Sequence, residues 1–147
     1  MQSFALKVRD MPVTRLQLVE EARTWAGTPY RHQGRVKGVG VDCAGLIVCV
    51  MRALGLPAID MEGYARRPDG TLLDHVRSQT DAVAPGEHEA GDIVVFHWDR
   101  QPVHLGMLTG AESVIHSYAI NRKVVEHDMD DRLRRAVAAY RRIRGVV

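Results

Sequence analysis

The 147-residue sequence predicts an α+β fold with helices first and an antiparallel sheet after. Its first third carries apolar residues at intervals of three and four, the period of a helix with one buried face. Its last third carries short runs rich in valine and isoleucine, separated by turn residues, which is the pattern of strands.

Each element has its own signal. Thr14 is placed to cap a helix that carries Leu16, Leu18, Val19, Ala22 and Trp25, with Gly27 and Pro29 as its stop. Residues 27–40 hold four glycines and one proline and are expected to form a loop. From Cys43 onward, Leu46, Ile47, Val50 and Leu54 mark a second helix that ends at Gly55 and Pro57, so Cys43 opens that helix. Residues 58–90 have no strong period. Turns at Pro68-Asp69-Gly70 and Pro85-Gly86 make this a surface excursion that lines a cleft, with a short helix near Leu72 to Val76. Strands follow at Asp92 to Trp98, Val103 to Leu108, Val114 to Ala119 and Lys123 to Met129. A helical turn at Asp130 to Ala136 and a last strand at Val137 to Arg144 complete the chain.

The length suits one domain spanning residues 1–147. A hydrophobic share of 46% and a charged share of 26% are ordinary for a globular chain. Net charge is +2, with arginines gathered at Arg132, Arg134, Arg135, Arg141, Arg142 and Arg144. These read as a solvated basic face, not a nucleic-acid surface, since aromatic residues at 5% are too few to serve as stacking platforms. Residues 1–10 lack the apolar segment of a secretory signal, and no apolar run reaches the length of a membrane span. Synthesis in the cytoplasm is the expectation.

Two cysteines, Cys43 and Cys49, lie on the same predicted helix about 240° apart, which argues against a disulfide between them or a shared metal. Cys43 is the reactive candidate. At a helix start, unpaired N–H groups and the positive end of the dipole favour a thiolate, so its pKa is expected to be depressed. The flank Gly38-Val39-Gly40-Val41-Asp42 leaves room for another molecule to approach. Cys49 reads as a small buried hydrophobe. A tight turn centred on Gly110 would set His104 and His116 directly opposite one another, their Cβ atoms roughly 5 Å apart on one sheet face. Such a pair suits a base held in one tautomer by a third group. A zinc site on Cys43, His104 and His116 is the chemical rival.

Five segments in this order resemble the NlpC-type cell-wall peptidases, a papain-like family. They are Gly27-Thr28-Pro29-Tyr30, Val41-Asp42-Cys43-Ala44-Gly45-Leu46-Ile47, Gly91-Asp92-Ile93-Val94-Val95-Phe96, Val103-His104-Leu105-Gly106-Met107 and Val114-Ile115-His116-Ser117. His32-Gln33-Gly34 resembles the subgroup found in phage tails and gene transfer agents. The resemblance implies Cys43 as nucleophile, His104 as base and His116 as orienter, with no cofactor and no metal. It also implies Tyr30 beside the oxyanion and Asp42 at the free amine of an L-Ala-γ-D-Glu stem, although Ala44 stands where such members carry a hydroxyl residue. Asp42 reads equally as a plain helix cap. His32, His75, His88, His97 and His127 read as surface or packing residues, with His32 and His97 near enough to border a cleft.

The expected function is therefore hydrolysis of the amide next to γ-D-Glu in peptidoglycan stem peptides, carried to the wall in a tail-like particle. The expected partners are stem peptides and phage-tail or gene-transfer-agent proteins. A tail-tip structural subunit without turnover and a related amidase or acyltransferase are the rival functions.

Overall fold

Thr14 caps the first helix. Its Oγ1 accepts from the Gln17 N–H at 3.1 Å while Gln17 Oε1 accepts from the Thr14 N–H at 2.8 Å, a capping box that fixes the start of α1 (Arg15–Arg23). The computed structural model describes residues 11–64, 70–98 and 101–147, with backbone only at 98 and 101–103. Expectations for residues 1–10 and for Pro68-Asp69 lie outside the described residues. α1 buries Leu18, Val19 and Ala22, whereas Leu16 stays exposed on its outer side.

Part of the expected loop 27–40 is ordered as a small hairpin of β1 (Arg35–Val36) and β2 (Gly40–Val41). It delivers the chain to α2 (Cys43–Ala53), which opens at Cys43 as its sequence period requires and buries Leu46, Ile47, Val50 and Met51. Residues 58–90 hold more structure than their weak period suggests. α3 (Thr71–Gln79) runs longer than expected, and β3 (Thr80–Val83) was not anticipated. β3 is short and lies at a sheet edge, so it lacks the alternating run that reveals a strand from sequence.

The remaining elements fall where the valine-rich runs put them. They are β4 (Ile93–Trp98), β5 (Gln101–Leu108), β6 (Ser113–Tyr118), β7 (Lys123–Asp128), α4 (Asp131–Ala136) and β8 (Val137–Ile143). Among the described residues the sheet has six strands in the order β3-β8-β4-β5-β6-β7, antiparallel at every pair.

Alternation along the strands splits the apolar residues between two faces. Ile93, Val95, Leu105, Met107, Ile115 and Val124 pack with Leu18, Ala22, Leu46 and Val50 of the helices. On the other face Val94, Phe96, Leu108 and Val114 pack with Met129, Leu133 and Ala136 around α4. At roughly 1.5–3 kcal/mol for each fully buried apolar side chain, both faces contribute to stability.

The arginines of the last strand do more than cover a solvated face. Arg142 and Arg15 both bind the buried carboxylate of Asp92, with Arg142 Nη2 to Oδ2 at 2.9 Å and Arg15 Nη1 to Oδ1 at 3.0 Å. Although burial works the other way, these partners hold the Asp92 carboxyl below its usual range. Arg141 donates to Thr80, and Arg144 donates to Asp81 and Thr80. A basic run that looks unpartnered in sequence thus ties β8 to β3, β4 and α1.

Candidate active site

Asp42 caps α2, its Oδ1 accepting from the Gly45 N–H at 2.8 Å, and this presents Cys43 at the first helical position. Cys43 is partly exposed and Cys49 is a free thiol as well, its Sγ 3.7 Å from the Arg35 carbonyl. The expectation of an acidic Cys43 is overturned. Burial, with the adjacent negative charge of Asp42, pushes the thiol up to about 11. Backbone N–H groups of Leu105, Ala44 and Cys43 itself favour the thiolate but do not outweigh that cost.

The Leu105 contact shows how sheet and helix meet. The Leu108 N–H bonds to the Asp92 carbonyl on the β4 side, so the N–H of Leu105, three residues away along the strand, points to the β6 side. Yet the β5–β6 ladder holds only Met107↔Ile115 and Leu108↔Val114, and the strands are unpaired toward His104. The Leu105 N–H, freed from β6, is placed to favour the Cys43 thiolate.

That ladder also corrects the expected register. It is centred on Ala111, not Gly110, which sets Gly106 instead of His104 at the level of His116. The shift changes the partner but keeps the parity, so both imidazoles remain on one face as diagonal neighbours. Gly106 makes the diagonal possible, since a Cβ there would lie 3.3 Å from His116 Cβ and 2.6 Å from Val114 Cγ2. His104 Nε2 and His116 Nδ1 are 2.7 Å apart, with ring centroids at 4.9 Å. His116 Nε2 lies 2.9 Å from His127 Nε2, and His127 Nδ1 lies 2.8 Å from the Asp128 carbonyl oxygen.

Burial drives the His104 pKa down to about 4, and burial with the charges of His104 and His127 drives His116 lower still. At neutral pH the Cys43 thiol and the His104 imidazole are therefore each uncharged.

Asp42 is fully engaged. Oδ1 takes donors from Gly45 N–H and, at 3.0 Å, Arg35 Nη1. Oδ2 takes the Gln33 N–H at 2.7 Å and the Tyr64 hydroxyl, with His32 Nδ1 at 4.0 Å. These donors match the roughly four acceptor positions of a carboxylate, and Arg35 is further held by Asp60 at 2.9 Å. Of the expected roles, the geometry displays the cap. Tyr30 is bridged by its backbone to Val41, two residues before Cys43, and the residue is 36% exposed. An apolar cavity of about 40 Å³ lies where residues 58–61 and 72–80 meet α2, bordered by Ala44 and Leu105, which follow Cys43 and His104 in sequence.

Sequence reasoning missed His127, Arg35, Tyr64 and the Leu105 N–H. The parity of β7 carried a signal for His127, because the pairs His116↔Val125 and Val114↔His127 put it on the face of His116. No local pattern announces the others. The zinc rival fits poorly, since two imidazole nitrogens on one tetrahedral zinc stand roughly 3.3 Å apart while His104 and His116 are at hydrogen-bond distance, 2.7 Å. Among the described residues no three His, Cys, Asp or Glu side chains converge as a ligand set.

A cysteine at a helix start, packed on an antiparallel sheet that carries paired histidines, is the papain-like α+β arrangement of cysteine peptidases. The chain belongs to the NlpC/P60 family, whose model matches residues 27–141. It is 28% identical over 116 residues to an Escherichia coli protein named "Probable endopeptidase NlpC", covering 78% of this chain and 68% of that one. An NlpC/P60 family protein from Bacillus cereus superposes with a TM-score of 0.73 at 23% identity over 90% of this chain and 41% of its own. The peptidoglycan hydrolase RipB from Mycobacterium tuberculosis gives 0.63 at 19% identity over 87% of this chain and 63% of its own. At these identities the solved structures establish the fold. The chain spans less than two thirds of both.

Proposed function

We propose that this chain is a cysteine endopeptidase that hydrolyses peptidoglycan stem peptides at the amide next to γ-D-Glu. The observation that carries the reading is the His104–His116 hydrogen bond at 2.7 Å, together with a cysteine at a helix start whose thiolate is favoured by the N–H of Leu105, the residue after His104. In the first step the Cys43 thiol proton passes to His104 Nδ1 as the sulfur attacks the carbonyl carbon. N–H groups near Cys43, helped by the Tyr30 hydroxyl, hold the developing oxyanion. The C–N bond breaks as His104 returns its proton to the leaving amine. His104 then takes a proton from water, the hydroxide attacks the thioester, and the acid leaves as Cys43 regains its proton.

His116 orients His104 in this reading, and Asp42 holds the start of α2. The neutral resting pair requires proton transfer to accompany attack. Carriage in a phage tail or gene-transfer particle is part of the proposal and rests on the His32-Gln33-Gly34 resemblance.

Incubating the purified protein and Cys43→Ala with defined muropeptides, then identifying products by mass spectrometry, tests the reaction. New termini at γ-D-Glu with the unaltered protein alone are expected. Cleavage by both proteins, or by neither, would overturn it. Absence of the protein from purified particles would remove the carriage reading.

A further inference from the structure

We propose that His127 is a positioning residue for the same reaction, setting the tautomers of His116 and His104 from the Asp128 carbonyl. The inference rests on the reading of Cys43 and His104 as nucleophile and base.

A carbonyl oxygen only accepts, so at 2.8 Å from the Asp128 oxygen His127 Nδ1 must carry the hydrogen. In the neutral ring Nε2 is then bare, and it accepts from His116 Nε2–H at 2.9 Å. With its hydrogen on Nε2, His116 offers a bare Nδ1, which accepts from His104 Nε2–H at 2.7 Å. His104 is thereby left with a bare Nδ1, the nitrogen the reaction needs to receive the thiol proton. Had His104 carried its hydrogen on Nδ1, it would have been a donor there and no base.

His116 by itself does not make this choice. A histidine carries a hydrogen on either nitrogen, and His116 is fully buried, so its tautomer is decided by what its far nitrogen meets. What it meets is His127, brought diagonal to it by the β6–β7 register Val114↔His127 and His116↔Val125. His127 is in turn decided by a main-chain group that has no second tautomer. The asymmetry of the carbonyl is thus passed through three rings to the reacting nitrogen.

The test uses the whole chain, His127→Phe and His127→Gln. Phenylalanine removes the acceptor, whereas glutamine can accept from His116 through Oε1 and donate to the Asp128 carbonyl through its amide. Imidazole ¹⁵N shifts of the unaltered protein are expected to show the hydrogen on Nε2 of both His104 and His116, and His127→Phe should mix the tautomers. On muropeptides His127→Phe is expected to lose about tenfold in kcat with KM within about twofold, and His127→Gln to recover most of that loss. A purely structural role for His127 would leave the ring tautomers unmoved. Hydrogen on Nδ1 of His104 in the unaltered protein, or unchanged shifts and kcat in His127→Phe, would overturn the proposal. Should the unaltered protein cut no muropeptide, the peptidase reading fails by itself while the nitrogen shifts still decide the tautomer relay.

Discussion

His104 and His116 are joined Nε2 to Nδ1 at 2.7 Å although they are not cross-strand partners, because Gly106 stands at the level of His116 and offers no side chain to block the diagonal. The pair is buried and directional, so the proposed chemistry and the pH behaviour of the fold turn on the same contact.

The first consequence is a ranking of variants on muropeptide turnover. Cys43→Ala is expected to abolish it and His104→Ala to come close. His116→Asn and His116→Gln should retain measurable activity, since a side-chain amide oxygen can accept from His104 Nε2–H, with His116→Ala lower than both. Circular dichroism should find all of them folded. Near-normal kcat in His104→Ala alongside an inactive His116→Ala would reverse the assigned roles.

With the thiol pushed up to about 11 and His104 down to about 4, Cys43 is not a preformed ion pair. Its alkylation by iodoacetamide, followed by peptide mapping, should therefore climb continuously between pH 7 and pH 10. Acidity no longer separates it from Cys49, whose thiol burial also raises. A rate plateau between pH 5 and pH 8 would show a thiolate–imidazolium pair and contradict this.

Acid should weaken the fold before its carboxylates titrate. Above the ordinary imidazole value of 6.5, His104 is neutral folded or unfolded and gives no pH dependence. Between there and about 4 only the unfolded chain takes up the proton, so stability falls as pH drops through that window and levels beneath it for this group. The full loss is on the order of 3 kcal/mol, and His116 adds to it with the same sign. Urea midpoints at pH 7 and pH 5 should differ, and His104→Phe should narrow the difference. Equal midpoints in the unaltered protein would show that the rings are not buried neutral.

Gly106→Ala puts a methyl group 2.6 Å from Val114 Cγ2 and 3.3 Å from His116 Cβ. We expect about 1–3 kcal/mol of destabilisation by urea titration, with a loss of turnover as His116 is displaced. Adding Val114→Ala should return part of the stability. A Gly106→Ala protein as stable and active as the original would mean the strands have slack at this point.

Turnover should survive EDTA and be lost with thiol reagents, because the proposed steps run through sulfur and imidazole. Loss in chelator with recovery on added zinc would favour the metal rival despite the short spacing of the two rings.

Local patterns determined most of the architecture. A threonine cap and residues at helical spacing placed α1 and α2, and valine-rich runs placed β4 to β8, since these features depend on near neighbours in the chain. The same reading singled out Cys43, His104 and His116, because a helix start and strand parity are visible in one dimension. Register was legible only in part. Parity put the histidines on one face, but the closing loop centred the ladder one residue further on, and loop geometry is weakly encoded in its composition. The rest was decided by contacts between distant segments. Residue type cannot say that the Cys43 thiol will be desolvated enough to stay protonated, that Arg35 and Tyr64 will take up the lone pairs of Asp42, or that His127 will meet His116, because desolvation and hydrogen-bond direction exist only once the sheet, α2 and the segment after it have closed on one another.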